Sequence, residues 1–446
     1  MHELAHEFTN RNVSPWGGLK LFQQVYERSK VKEKLQEAGL PQPGSNRGYD
    51  AEELVEGFMT SVIVGARRLE HSGMLRTDSV IQEIFGWKKG MASASTFSRF
   101  FRRFDVDMND AVFPPLMKHM MSLMAVKKRT IDIDSTVITR YGHQQEAMVG
   151  YNPSKKGRRS HHPLMAFCAE TKMVVNAWMR SGDSASSTDM KDFLAELFAI
   201  VPREDVGLIR ADAGFYADEI LRELELENKV VRYIVKADKT KLLVRHILRV
   251  DKWYHSDTVC KDACYTEFQY KASTWKSSRR MIVVRVPKKN TESDKLAAQS
   301  ELFQDIVKLE QFEYMAFVTN SEDSAVEIHS RYNKRGECEN RIKELKYDYA
   351  IDGFALQQFP AMEAAFRFIM IAFNLMQIFK QSVMTSKRIH QLKTVRFQCI
   401  AIGSYLVTRG RIKTLMLSAK GKRRHFLDHL FERIGNSEAP FEFSIA

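Results

Sequence analysis

Four carboxylates sit at positions where an α/β scaffold could use them to hold metal. Asp132 and Asp134 are two residues apart in RTIDIDSTVI (129–138), whose apolar–polar alternation predicts a strand, so both side chains leave the same face. Asp212 closes another predicted strand in IRADAGFY, just before a small-residue turn and a helix; ligand sites of such sheets collect at strand C-terminal ends. Glu339 lies on a predicted helix downstream. There Tyr332, Arg335, Glu339 and Lys346 follow at steps of three, four and seven residues and stay near one helix face. The chemistry these types suit is attack on a phosphodiester. Two divalent ions about 3.5–4 Å apart stabilise the attacking and leaving oxygens. Mg²⁺ takes hard oxygen ligands and keeps several waters, so two or three carboxylates from separate elements suffice. Arginine grips phosphate bidentately and lysine adds a point charge. Singly, each carboxylate has a plainer reading: Asp212 as a helix cap, Glu339 as a partner of Lys343, Asp132 as a partner of a basic neighbour. The combination points to a metal site.

The elements that must position them follow from periodicity. Residues 1–125 read as mostly helical, with helices over Leu19–Ala38 and Asp50–His71 separated by the breaker PQPGSNRG. Within 78–104, two short helices flank a glycine-containing turn, and Phe97, Phe100, Phe101 and Phe104 share a face of the second. Arg99, Arg102 and Arg103 lie on its other faces. The pattern suggests a helix-turn-helix and makes 1–125 the expected DNA-binding region. From 126 to 238 the predicted order is βββαβαβ: strands at 129–138, Pro163–Ala169 and Met173–Met179, helix Asp189–Ile200, strand Val206–Ala211, helix Tyr216–Glu227 and strand Val230–Lys236. That order predicts an α/β fold, a ribonuclease-H-like mixed-sheet core. Residues 239–325 read as a mostly β insertion, 326–385 as the helical second part of the core carrying Glu339, and 386–446 as a basic, helical C-terminal region. Its last helix is expected to present Phe426, Leu430, Phe431 and Ile434.

Four segments together resemble a bacterial insertion-sequence transposase of the DDE class. They are the strand IDIDSTV, the stretch YGHQQEAMVGYNPSKKGRRSHHPLMAF, the turn RADAGFY and the run Y-x2-R-x3-E-x6-K. The group is the one bearing the Y-R-E-K signature, insertion-sequence family thirteen-eighty, related to insertion-sequence family four. The resemblance runs from about Leu19 to the C-terminal helix. It implies cut-and-paste DNA transposition: binding of terminal inverted repeats, metal-dependent hydrolysis at the element ends, then strand transfer into target DNA. It implies a triad of Asp134, Asp212 and Glu339 on Mg²⁺, with Mn²⁺ able to substitute. Asp134 is preferred to Asp132 because the family places Ser or Thr directly after the metal-binding Asp, and Ser135 and Thr136 follow it. Tyr332, Arg335 and Lys346 carry over as DNA-phosphate contacts. A relative stacks an insertion-domain Trp on a flipped base. Trp253 and Trp275 are the candidates here, and each also reads as part of a small β core.

The charge balance agrees with a polyanionic partner: 68 basic against 55 acidic residues in 446, a net +13. The loop KKGRRSHH (155–162), with Arg158 and Arg159, favours DNA backbone contact. A hydrophobic fraction of 44% with 28 Phe excludes disorder as the main state, and five scattered cysteines give no disulfide framework. The polar N-terminus and the polar residues within the apolar run 361–379 lead to an expectation of a cytoplasmic chain without a membrane span. No Walker or Rossmann glycine pattern occurs, so no nucleotide cofactor is expected. HELAH (2–6) matches H-E-x-x-H formally, but a zinc protease needs that motif on a buried helix with a third ligand downstream. A homodimer is expected, because both element ends must be held at once. The competing readings are a catalytically silent DNA-binding protein and a stand-alone nuclease of the same fold.

Overall fold

The computed structural model describes residues 4–45, 47–227, 229–288, 311–384 and 390–443; His2 and Glu3 of HELAH lie outside them. After the short strand β1 (Val13–Ser14) come seven helices: α1 (Leu19–Arg28), α2 (Val31–Glu37), α3 (Ala51–Val64), α4 (Leu69–Leu75), α5 (Ser79–Phe85), α6 (Ala94–Phe101) and α7 (Val106–Ser122). Two of the expected helices are each split. The first breaks where Lys30 takes a left-handed conformation (φ 53°). The second ends at Gly65, whose φ of 104° suits glycine. Asp78, Ser93 and Asp105 each cap the helix that follows through a side-chain oxygen.

The expected helix-turn-helix forms as two helices but not as a packed pair. Helix α5 leans on α1 and β1, whereas α6 packs on α4, α3 and a long central helix described below. Phe97, Phe100 and Phe101 of α6, with Phe104 just after it, decide this. They are buried and pack with Phe58, Phe113 and Phe368. Burying each such side chain is worth about 1.5–3 kcal/mol, so α6 is anchored in the main core. Arg99, Arg102 and Arg103 remain exposed on its outer side.

A nine-stranded mixed sheet carries the middle of the chain. Its strands are β2 (Arg129–Ser135), β6 (Leu164–Cys168), β7 (Val174–Trp178), β8 (Val206–Ala211), β9 (Tyr233–Lys236), β10 (Tyr254–His255), β11 (Cys264–Tyr270), β12 (Arg279–Pro287) and β13 (Phe312–Thr319). The spatial order is β10-β11-β12-β13-β9-β8-β2-β6-β7. β2 runs parallel to β8, and β8 to β9; the other pairs are antiparallel. The β-rich segment therefore continues the core sheet through β13·β9 pairing, and among the described residues it forms no sheet of its own. A second small sheet, β3 (Ile138–Thr139), β5 (Arg159–His161) and β4 (Met148–Val149), rises where β2 ends.

Helices α8 (Met190–Ile200), α9 (Asp218–Leu224) and α10 (Lys241–Leu248) follow the early strands. Helices α11 (Ala325–Asn333) and α12 (Gly336–Tyr347) follow β13, α11 opening with a Ser324/Glu327 capping box. Helix α13 (Phe359–Ile378) is apolar enough to span a membrane, yet it is covered by protein and joins the N-terminal helices to β7. The C-terminal region differs from the all-helical expectation. After the short α14 (Leu392–Val395), β14 (Ser404–Arg409) and β15 (Ile412–Leu417) form a hairpin turning at Gly410 (φ 61°), and β14 pairs with β1. Helix α15 (Gly421–Gly435) then buries Leu427, Leu430 and Ile434 at i, i+3 and i+7. Phe426 sits one position off that stripe and is partly exposed.

Candidate metal-binding active site

The central strand β2 brings the two competing aspartates to different fates. Asp132 is fully buried, and its register partner on β8 is Arg210. Both carboxylate oxygens accept from that guanidinium, Oδ1 from Nε at 2.6 Å and Oδ2 from Nη2 at 2.9 Å. Arg341 stands 3.9 Å away. Burial pushes the Asp132 pKa up, against the pull of Arg210 and Arg341. With both oxygens accepting, the geometry is that of an ionised, saturated pair.

Asp134, one strand repeat later, lies at the solvent-facing end of β2. Burial pushes its carboxyl up to about 6; Arg335 pulls it down, and the charges of Asp212 and Glu339 push it up again. Three carboxylates from three separate elements thus share one electrostatic field. Asp212 ends β8 and caps the next turn, with Oδ1 accepting from the Gly214 N–H at 3.0 Å. Its second oxygen is not used by that cap. Glu339 is exposed on α12 and makes no salt bridge, with Lys343 or any other described residue. The cluster holds more negative charge than the single Arg335 neutralises, which is what a divalent cation with carboxylate ligands would offset. The donor set is all oxygen and fits a hard ion.

The cationic members of the Y-R-E-K run are tied to the scaffold. Arg335 ends the turn between α11 and α12; its Nη2 donates to the Ile133 carbonyl at 3.0 Å and lies 3.2 Å from Asp134 Oδ2. Its Nε is buried without a partner. The neighbouring charges of Asp134 and Asp212 hold its pKa up. Lys346 donates to the Val137 carbonyl at 3.0 Å, and burial lowers its pKa while Asp352 and Asp134 raise it. Tyr332 packs on Phe317 and is pushed up to about 12, first by burial, with Asp212, Asp134 and Glu339 adding to the shift. Arg335 and Lys346 thus bond the end of β2 and the residues just after it, while Tyr332 packs on β13 and Glu339 stands exposed on α12.

Three further residues border the cluster: His162, which closes the basic loop expected to meet DNA, and Ser186 and Arg180, which no motif singled out. His162, just before β6, is buried; its Nδ1 bonds the Ser184 carbonyl at 2.9 Å, and the charges of Asp212 and Lys346 both act on its ring. Ser186 reaches the Ser135 hydroxyl at 3.3 Å and lies against Gly214, where an added Cβ would stand 2.7 Å from Ser186 Cβ. Arg180 fixes the loop bearing Ser184 and Ser186 by donating to the carbonyls of His162, Ala185 and Thr188. The doublet HH and the serine-rich SGDSASSTD were the visible signals, but serines and paired histidines are common in ordinary loops.

Other predicted residues lie elsewhere. Arg158 and Arg159 are exposed on the small sheet above the cluster, Arg159 donating to the Ala147 carbonyl at 3.1 Å. Both tryptophans sit within aromatic and guanidinium packing, Trp275 buried and Trp253 half-buried. Trp275 is only 5% exposed, packed edge-on to Tyr216 and Tyr270 with Arg279 over its ring. Trp253 donates to the Val250 carbonyl and is covered by Arg285 at 4.2 Å. Both serve the β-rich packing, because each indole finds aromatic and guanidinium neighbours there. A separate trio, His255, Asp257 and Asp262, is exposed near β10 and away from the carboxylate cluster.

The family described as transposase DDE domain group 1 matches residues 2–439. No curated protein matches the chain. Among solved structures, the chain is similar to that of a cryo-EM piggyBac transposase synaptic complex with hairpin DNA, at 11% identity and a TM-score of 0.42, over 86% of this chain and 80% of that one.

Proposed function

Because the chain belongs to the transposase DDE domain group 1 family, we infer that it cuts and rejoins DNA at the ends of a mobile element, with Asp134, Asp212 and Glu339 as its metal-holding triad. The carrying observation is geometric: Asp134 near the end of β2 and Asp212 just after β8 lie on neighbouring parallel strands, and Arg335, one helical turn before Glu339, sits 3.2 Å from Asp134. The strand arrangement β7-β6-β2-β8-β9, antiparallel on one side of β2 and parallel on the other, supports a ribonuclease-H-like core. The motifs that resemble insertion-sequence family thirteen-eighty support a bacterial insertion-sequence element and a cytoplasmic enzyme.

Divalent metal, Mg²⁺ or Mn²⁺, would supply Lewis-acid stabilisation of the attacking and leaving oxygens. The chain's own residues do the rest. Arg335 holds Asp134 and the β2 backbone in place, so that the carboxylate need not reorganise when the ion arrives. Asp212 is oriented by the Gly214 N–H. Glu339, on a rigid helix and free of ion pairs, completes the set. Lys346 is placed beside the cluster to meet a phosphate, and the loop with Arg158 and Arg159 to meet the backbone beyond it. The reaction class is hydrolysis at each element end, followed by in-line attack of the freed 3′-hydroxyl on target DNA. A homodimer holding two inverted repeats suits the symmetry of that task.

The test is strand cleavage of a duplex carrying the DNA that flanks the gene, with Mg²⁺, comparing wild type with Glu339→Ala. Cutting at the element boundary by wild type alone is expected. Binding without cutting, the same for both proteins, would leave a DNA-binding protein and defeat the catalytic reading.

A further inference from the structure

A trough of about 1160 Å³ opens beside the carboxylate cluster, between the N-terminal helices and the small sheet. Arg67 and Arg68 form one wall, just ahead of α4, and Ser95 and Ser98 of α6 stand beside them. Glu70 and Asp352 line the trough close to these arginines, and Tyr141 lines it from the end of the small sheet. The trough is joined to the site through Lys346. That ammonium bonds the Val137 carbonyl, two residues before Thr139 enters the trough lining, and feels the charges of both Asp352 and Asp134.

The two walls differ in a way that selects a ligand. Arg67 and Arg68 are exposed, and Arg67 is only loosely opposed by Asp352 at 3.9 Å. Across from them Tyr141 is 73% exposed, with Lys155 of the basic loop set 4.9 Å over its ring. Guanidinium groups on one wall and an open aromatic ring beside an ammonium on the other form the pairing that tracks a single nucleic-acid strand: charge for the backbone, a ring for a base.

We propose that this trough holds a single DNA strand leading away from the scissile phosphate, with phosphates on Arg67 and Arg68 and a base on Tyr141. The proposal rests on the DNA-cutting reading of the adjacent cluster. It adds a consequence that reading lacks: the enzyme favours ends whose strands are already parted next to the cut.

The experiment measures equilibrium binding of the full chain to a fluorescent element-end duplex, either blunt or carrying a single-stranded tail at the cleavage boundary, in EDTA. Wild type is expected to bind the tailed duplex more tightly. Arg67→Ala with Arg68→Ala should remove that increment while leaving blunt-duplex binding unchanged, and should lower the salt slope for the tailed duplex by about 0.7 per lost phosphate contact. Tyr141→Ala should cut the increment by about 5- to 150-fold, the equivalent of one stacked base, and Tyr141→Phe should keep it. A tail that adds nothing to wild-type affinity would overturn the proposal, as would variants that weaken blunt and tailed binding equally. The readout needs no cleavage, so failure of Glu339→Ala to stop cutting would defeat the catalytic reading alone.

Discussion

Replacing Asp132 and Asp134 one at a time by asparagine should change stability and metal response in opposite senses. Asp132 is a fully buried carboxylate saturated by Arg210. Removing one partner of such a pair leaves a buried charge uncompensated and costs about 3–5 kcal/mol. Arg210 also donates to the Arg331 carbonyl, so the loss spreads to the end of α11. Asp134 is different. Its folded pKa of about 6 stands above the usual 3.8, so the folded state holds that proton more tightly than the unfolded chain does. The penalty for ionising it is absent below pH 3.8, grows as pH rises, and is complete above about 6. At about 1.4 kcal/mol per pKa unit, Asp134→Asn relieves up to about 3 kcal/mol at pH 8 in EDTA, less whatever the lost Arg335 pair was worth. Urea unfolding at pH 8 with EDTA, then with Mg²⁺, reads both effects. Wild type should gain stability with Mg²⁺ through preferential binding to the folded state. Asp132→Asn should be less stable yet keep that gain. Asp134→Asn should be at least as stable as wild type in EDTA and lose it. The reverse pattern, with the Mg²⁺ gain abolished by Asp132→Asn and kept by Asp134→Asn, would refute the assignment.

Glu56, 3% exposed and hydrogen-bonded by the Trp87 indole at 2.7 Å, is pushed up to about 7 by burial. Its contribution to stability is present below about pH 4.5 and lost as pH rises through 7, so Glu56→Gln should stabilise the fold by about 3 kcal/mol at pH 8 and flatten urea stability between pH 4.5 and 7. Gly214→Ala places a methyl 2.7 Å from Ser186 Cβ and 3.1 Å from Asp212 Oδ1; cleavage should fall at least tenfold in a gel assay, with DNA affinity unchanged. Trp275→Ala should lower urea stability by about 3–5 kcal/mol through its core cavity, and should leave the affinity of the remaining folded protein for element-end DNA as in wild type.

The candidate site is more legible in the sequence than the fold around it, for a physical reason. Metal chemistry on phosphate limits residue types, so IDIDSTV, RADAGFY and the Y-R-E-K run read as carboxylates and cations at set spacings, and in the structure β2 and β8 lie side by side with Arg335 against Asp134. What spacing could not show is which partner each charge meets. Asp132 and Asp134 share a strand face and a motif; only the pairing of β2 with β8 reveals that Arg210 stands opposite the first. The packing of the tryptophans was hidden for the same reason. An indole in a β-rich segment looks alike whether its face is open or filled, and Tyr216, Tyr270 and Arg279 around Trp275 come from three separate stretches of chain. Phe97, Phe100, Phe101 and Phe104 are legible as one helix face, but spacing does not say which elements that face meets. Their burial against α3 and α13 joins the N-terminal helices to the rest of the fold. That attachment gives the trough its two walls, one from α4 and α6 and one from the small sheet, so a strand lying there would touch both parts of the fold at once.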